Sequence, residues 1–265
     1  MTQTVLVTGA SSGIGKATAL LLQREGFTVF GTTRRPDGVG PQEFPMLALD
    51  VRSDDSVKAL FDKVGRLDVL IDNAGYALTG AAEATTLAEA KAQFETNFFG
   101  AVRMVNAALP AMRTAGAGKI IIISSLAGLT AIPFGAFYSA TKFALEGYAE
   151  ALWHELRPFG ISVTLVEPGF VRTRLGEASQ VAAGPLPVYA AAEERVLRAI
   201  GGAVSRGIAP ERVAARVLRI AHTDQPRLRY RVGTDAMWLP RLKHVAPWSV
   251  FAAGVRRTFG LDPNA

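Results

Sequence analysis

Six short apolar runs interrupt the first 169 residues of this 265-residue chain, and helical patterns fill the gaps between them. The runs are TVLVT (4–8), FTVFGTT (27–33), MLALDV (46–51), LDVLIDNAG (67–75), GKIIIISS (118–125) and ISVTLVEPG (161–169). They are apolar at successive positions rather than alternate ones, so both faces of each strand must be covered, as in a parallel sheet. Between them, residues 11–26 carry Ile14, Ala17, Leu21 and Leu22 at helical spacing before Gly26, and Ser53 is placed to cap a helix running to Val64. Longer helices are expected over Leu87–Thr114 and Phe137–Arg157. With right-handed crossovers this order gives a doubly wound α/β fold. A later LRYRV run (228–232) brings the sheet to about seven strands in one domain spanning residues 1–265.

Beyond Gly169 the pattern loosens. Residues 174–205 are rich in Ala, Gly and Pro with little periodicity, and a loop of that length reads as a lid over a site. A helix over about 210–222 follows. Residues 206–265 read as a substrate or oligomer segment ending in an amphipathic tail with Trp238, Trp248, Phe251 and Phe259.

Composition removes several alternatives. The chain has no cysteine, which excludes disulfides, thiolate metal sites and a cysteine nucleophile. That, and an opening without a basic, then apolar, leader pattern, gives the expectation of a cytoplasmic protein. The uncharged stretch Ile120–Thr141 is long enough to cross a bilayer, yet its β-branched run followed by SSLAGLT, Pro133 and Gly135 reads as a buried strand ending in a loop. Membrane association is therefore not expected. Residues 195–265 hold 13 Lys/Arg against 4 Asp/Glu, a local net of +9 in a chain whose total is +6. A solvated basic face explains this, as would an anionic substrate or an anionic membrane surface; no nucleic-acid motif accompanies it.

The turn after the first strand, TGASSGIGKAT (8–18), must bind something, and several templates nearly fit it. A triphosphate loop needs four residues between its first glycine and Gly-Lys-Ser/Thr; here five residues separate Gly9 from Gly15 and Ala17 replaces the hydroxyl. A strict GxGxxG starting at Gly13 would need glycine where Thr18 stands. The hydrolase elbow GxSxG fits as Gly9–Gly13 with Ser11 as nucleophile, but it lies on the first strand and would need His154, His222 or His244. What remains is glycine at 9, 13 and 15 on a strand–turn–helix, which lets the backbone approach a pyrophosphate and aims helix N–H groups at it.

Downstream, SSLAGLTAIPFGAFYSATK places Tyr138 and Lys142 one helical turn apart, with Ser125 thirteen residues earlier, just past a strand end. Together with TGASSGIG, DNAG (72–75), Asn97 in NFFG and PGFVRT (168–173), these motifs resemble the short-chain dehydrogenase/reductase family over Val5–Thr173. Asp72 departs from the asparagine more usual in that family. The resemblance implies a Rossmann-type oxidoreductase in which Tyr138 exchanges a proton with a carbonyl or alcohol oxygen. Ser125 would position that oxygen, Lys142 would lower the tyrosine pKa and hold the nicotinamide ribose, and Asn97 would anchor a water in a proton relay.

Cofactor contacts are expected from Gly9, Ser11, Ser12, Gly13, Ile14 and Gly15 in the turn and, by resemblance, from Asp50, Val51, Asn73, Ala74, Gly75, Pro168, Gly169, Val171 and Thr173, besides Tyr138 and Lys142. At the end of the second strand, Thr33 is followed by Arg34 and Arg35 instead of a carboxylate, which suits the 2′-phosphate of NADP. Leu126, Leu129, Ile132 and Phe134, with the lid, would make an apolar substrate pocket for a small-molecule carbonyl or alcohol, similar to the steroid- and retinoid-active branch. The resemblance also implies a homodimer or homotetramer paired through two long helices. The alternatives are an NADP(H)-binding regulatory protein without turnover and a serine hydrolase using Ser11. No metal is expected, since His154-Glu155 lacks a second histidine at Pro158.

Overall fold

A computed structural model describes residues 2–40, 42–173, 180–184 and 186–262. The strands are β1 (Thr4–Val7), β2 (Thr28–Thr33), β3 (Met46–Ala48), β4 (Val69–Asp72), β6 (Gly118–Ile123), β7 (Ile161–Pro168) and β9 (Arg229–Val232). They form one seven-stranded sheet in the order β3-β2-β1-β4-β6-β7-β9, with every pairing parallel. The chain leaves β1 in one direction and returns to β4 on its other side, so the order reverses between those two strands. That reversal opens the crevice in which such sheets hold ligands.

Both faces are covered, as the continuous apolar runs require. Leu6, Leu70, Ile120, Ile122 and Leu165 point to one core with Val57, Leu60, Met104, Val105 and Leu145. These come from α2 (Asp54–Val64), α4 (Gly100–Ala115) and α5 (Ala136–Leu156). Their strand neighbours Val5, Val7, Val69, Ile71, Ile121 and Ile123 point the other way. There they meet Ala19 and Leu22 of α1 (Gly13–Arg24) and Val213, Val217 and Ile220 of α7 (Pro210–His222). Each such side chain contributes about 1.5–3 kcal/mol by leaving water, which is why the IIII run commits its segment to the sheet centre.

Local signals set the helix limits. Ser53 Oγ accepts from Ser56 N at 3.2 Å, and Gly65 ends α2 with φ 67°. Thr86 and Glu89 make a reciprocal capping box for α3 (Leu87–Phe94). The single helix expected over Leu87–Thr114 is interrupted by a π turn at Glu95–Phe99 that carries Asn97, before α4 resumes.

The segment read as a loose lid is more ordered than its composition suggested. Residues 174–179 and 185 lie outside the described residues. Gln180–Val181 (β8) pairs with Leu78–Thr79 (β5), and Ala190–Ser205 is a 16-residue helix, α6. Alanine is the best helix former, but it blurs the apolar period; only Val196, Ile200 and Val204, four apart, mark a face. Two further helices, α8 (Thr234–Val245) and α9 (Trp248–Thr258), close the described chain.

Candidate active site

The glycine turn is fixed by the ends of β1 and β4. Thr8 Oγ1 donates to Asp72 Oδ1 at 3.0 Å and accepts from the N–H groups of Asn73 and Ala74 at 2.8 Å each. Asn73 Nδ2 donates to the carbonyls of Thr8 (3.0 Å) and Gly9 (3.2 Å). Gly9 and Gly13 take φ values of 66° and 55°, where a side chain would be strained. A Cβ on Gly15 would lie 2.3 Å from Gly9 O and 2.5 Å from Asn73 Nδ2, so its hydrogen is what lets α1 start against the turn. Ser12, at the N-cap of α1, makes no side-chain capping bond, and the first turn holds no acidic residue. The leading N–H groups of α1 are thus left for an anion, and the turn fits a pyrophosphate.

A cavity of ≈ 530 Å³ runs from this turn across the C-terminal ends of the strands. Of the residues read from sequence, Gly9, Ser11, Ser12, Gly13, Ile14, Thr33, Arg34, Asp50, Val51, Asn73, Ala74 and Gly75 line it, as do Ser125, Tyr138, Pro168, Gly169, Val171 and Thr173. Gly15 stands behind the turn, Asn97 and Lys142 are buried behind the wall, and Arg35 and Phe134 are not part of the lining. Phe134 has φ 57° and stacks edge-on against Tyr189 at 6.2 Å, so its ring is held by the lid segment. Of the expected substrate-pocket residues, Ile132 lines the cavity; Leu126 is core, and Leu129 accepts from Lys243 Nζ at 2.8 Å.

Arg52 and Tyr76 also line the cavity and escaped the sequence reading, and the segment read as a lid contributes Gln180 and, from α6, Ile200 and Val204. Arg52 grips Asp50 through Nε (2.9 Å) and Nη2 (2.7 Å), holding that carboxyl at about 2. Asp50 is thereby matched by its own arginine, while Arg34 stands exposed on the wall with no carboxylate at the end of β2.

Ser125 leaves β6 two residues past its end and caps a short turn, Leu126–Gly128, by accepting from Ala127 N at 3.0 Å. Tyr138 and Lys142 sit in the first two turns of α5. Burial pushes the Tyr138 phenol above its usual value, and a hydrogen bond with Ser125 works against that rise. In the protein alone the tyrosine is therefore raised, because desolvation outweighs the hydrogen bond with Ser125. Lys142 Nζ lies 5.9 Å from the centroid of the Tyr138 ring. Lys142 Nζ donates to Ile123 O at 2.8 Å. Burial draws the ammonium down to about 8, opposed by the carboxylates of Asp72 and Glu146.

Asn97 has a task the sequence did not suggest. Its Oδ1 accepts from Tyr76 N (3.0 Å), and its Nδ2 donates to Tyr76 O (2.9 Å) and Thr141 Oγ1 (3.2 Å). The side chain clamps the wall beside the cavity and ties it to α5. Behind Ser125, Ser124 Oγ donates to Glu146 Oε1 at 2.6 Å, and Arg229 Nε reaches Glu146 Oε2 at 3.0 Å. Glu167 is fully buried between Arg229 (3.5 Å) and Arg231 (3.2 Å), and burial raises its carboxyl. The Ser-Ser doublet, the Lys142–Glu146 spacing and a glutamate ending an apolar strand were the available signals for this cluster.

Two of the three histidines that a Ser11 hydrolase could use are elsewhere. His222 packs on Phe27 at 5.2 Å, before the start of β2 and so at the opposite end of the sheet from the glycine turn. His154 lies in the last turn of α5, about 24 Å along the helix from Tyr138. Among the described residues no group of three His, Cys, Asp or Glu could hold a metal ion.

Residues 3–182 match the short chain dehydrogenase family. The chain is 42% identical over 253 residues to a 3-ketodihydrosphingosine reductase of Bacteroides thetaiotaomicron, covering 90% of this chain and 93% of that one. It is 35% identical over 274 residues to retinol dehydrogenase 8 of Bos taurus, covering 92% and 86%. In structure it is similar to a short-chain dehydrogenase of Streptomyces avermitilis, with TM-score 0.83, 34% identity and 98% of each chain covered. With the glycine turn and the Ser–Tyr–Lys grouping falling inside that match, the chain belongs to the short-chain dehydrogenase family of oxidoreductases.

Proposed function

We propose that this oxidoreductase uses NADP(H) to interconvert a carbonyl and an alcohol on an apolar small molecule. The observation that carries the reaction class is the meeting of Ser125, Tyr138 and Lys142 at the C-terminal edge of the sheet, beside a glycine turn fitted to a pyrophosphate. Arg34 on the cavity wall, with Asp50 already matched by Arg52, supports the 2′-phosphate form of the cofactor. Ile132, Ile200 and Val204 on the far wall support an apolar substrate. So do the names of the two relatives, one a reductase of 3-ketodihydrosphingosine and the other a dehydrogenase of retinol.

When bound, the nicotinamide supplies or accepts the hydride. Ser125 Oγ orients the substrate oxygen and shares its hydrogen bond with Tyr138. The raised phenol of Tyr138 is protonated at neutral pH and donates to that oxygen in reduction; in oxidation the phenolate takes the proton back. Lys142, fixed by Ile123 O and kept charged by Asp72 and Glu146, stabilises the phenolate and holds the ribose. Asn97 keeps the Tyr76 wall in register with α5. Residues 180–205 act as the lid, tied to the body by β5–β8 and by Ala183 N donating to Glu89 Oε1 at 2.8 Å. Subunits pair through α4 and α5, where Phe99, at the start of α4, and Phe143 stay exposed.

The test is a panel of carbonyls and alcohols followed at the nicotinamide absorbance with both cofactors. Turnover of apolar ketones or aldehydes with NADPH is expected. Equal or better turnover with NADH would remove the Arg34 argument, and binding of NADPH without turnover of any member would favour a regulatory role.

A further inference from the structure

The two C-terminal helices carry an outward face that the oxidoreductase reading leaves unused. In α8, Ala236 is fully buried, and Lys243 reaches inward to the carbonyl of Leu129 at 2.8 Å. On the opposite side of the helix, Trp238 is 65% exposed and Val245 78%, with Leu242 between them at helical spacing. Arg241 stacks its guanidinium on the Trp238 ring at 5.4 Å, so cation and aromatic face outward together. After Pro247, α9 begins with Trp248, 70% exposed, and is anchored by the buried Phe251. Val250 and Arg257, seven residues apart on α9, are both exposed.

The charge of this face is one-sided. No Asp or Glu occurs between Asp235 and Asp262, whereas Arg241, Lys243, Arg256 and Arg257 all fall in that interval. Arg256 meets Asp262 at 3.7 Å, and Lys243 faces inward, which leaves two exposed cations, Arg241 stacked on Trp238 and Arg257 on the side of α9 that carries Val250. A two-fold contact between copies through this face would bring cations together with no carboxylate in the interval to answer them. An anionic lipid surface answers both features, since tryptophan favours the headgroup level and arginine the phosphates. Among the described residues no helix is long and apolar enough to cross a membrane, so the contact would lie on the surface.

We propose that the outward face of α8 and α9 docks on the surface of an anionic lipid bilayer. The docking stands apart from the proposed reaction. Where that reaction holds, it also brings the turn Leu126–Gly128, which follows Ser125 and touches α8 through Leu129, close to a store of apolar substrate.

The experiment is cosedimentation of the full chain with vesicles of phosphatidylcholine alone and with about a third phosphatidylglycerol. In parallel, Trp153→Phe leaves Trp238 and Trp248 as the only fluorophores of the three tryptophans, read against acyl-chain bromination. Binding and quenching are expected with the anionic vesicles and are reversed by high salt. Arg241→Gln with Arg257→Gln weakens the partitioning about 30-fold, at about 1 kcal/mol per charge. Trp238→Ser with Trp248→Ser weakens it by roughly tenfold or more, with thermal unfolding as in wild type. Equal binding to neutral vesicles, or none to either, overturns the proposal. So does a dimer in light scattering that the tryptophan pair dissolves without any vesicle binding, which assigns the face to a second copy.

Discussion

Asp72 is a buried carboxylate at the hinge between the glycine turn and the reaction site, and replacing it by asparagine tests the electrostatics of both. Burial raises the carboxyl from an ordinary 3.8 to about 6, while the Thr8 hydroxyl and the Lys142 ammonium hold it down. A group whose folded value is raised contributes stability at low pH that is lost as pH rises through that value. Each pH unit between the two values is worth roughly 1.4 kcal/mol, so the ionised carboxylate costs the fold about 3 kcal/mol above pH 6. That figure already includes the attraction to Lys142. In Asp72→Asn the amide oxygen can still accept from Thr8 Oγ1, and no charge is buried. Urea unfolding across the acid-to-neutral range is expected to show equal stability near pH 4 and a gain of about 2–3 kcal/mol for the variant near pH 7.5. Lys142 loses one of its two raising partners, so the alkaline limb of the rate profile moves further below about 8. A variant less stable than wild type at neutral pH, or a difference that does not change with pH, refutes this reasoning.

Three further substitutions address separate parts of the site. Gly15→Ala puts a Cβ 2.3 Å from Gly9 O and is expected to cost about 1–3 kcal/mol in denaturant unfolding and to weaken cofactor binding in titration. Arg34→Leu is expected to weaken NADPH binding roughly tenfold or more while NADH is unchanged, read by nucleotide fluorescence; parallel losses for both would remove the 2′-phosphate role. Glu146→Ala strips Ser124 Oγ and Arg229 Nε of a partner and is expected to lower stability by about 3 kcal/mol, with Glu146→Gln recovering part of it.

The sheet could be read from the chain because burial on both faces forces an unbroken apolar run, and the runs at 4–8, 67–75, 118–125 and 161–169 have no other stable home. Ser125, Tyr138 and Lys142 were legible for a different reason, since they are close in sequence and the helix fixes their spacing. What escaped depends on how a side chain turns, on partners far along the chain or on weak periodicity. Arg52 turning back on Asp50 and Glu146 meeting Arg229 leave no spacing signature. The hold of the Asn97 amide on the Tyr76 backbone was not legible, because it is set by the π turn and by packing of α3 and that turn against α5. The α6 helix was hidden by its alanines and glycines, since alanine holds a helix without marking its buried side and glycine disfavours one. The raised phenol of Tyr138 also lay beyond the sequence, because desolvation is a property of the assembled wall.

The most direct test of the account is Tyr138→Phe, measured as carbonyl reduction with NADPH alongside NADPH affinity. The ring keeps its place beside Lys142 and only the proton donor is removed, so turnover is expected to fall by about 10²–10⁴ with nucleotide binding within a few-fold of wild type. Turnover preserved in that variant on every substrate the wild type reduces would contradict the assignment of Tyr138 as the acid and base of this site.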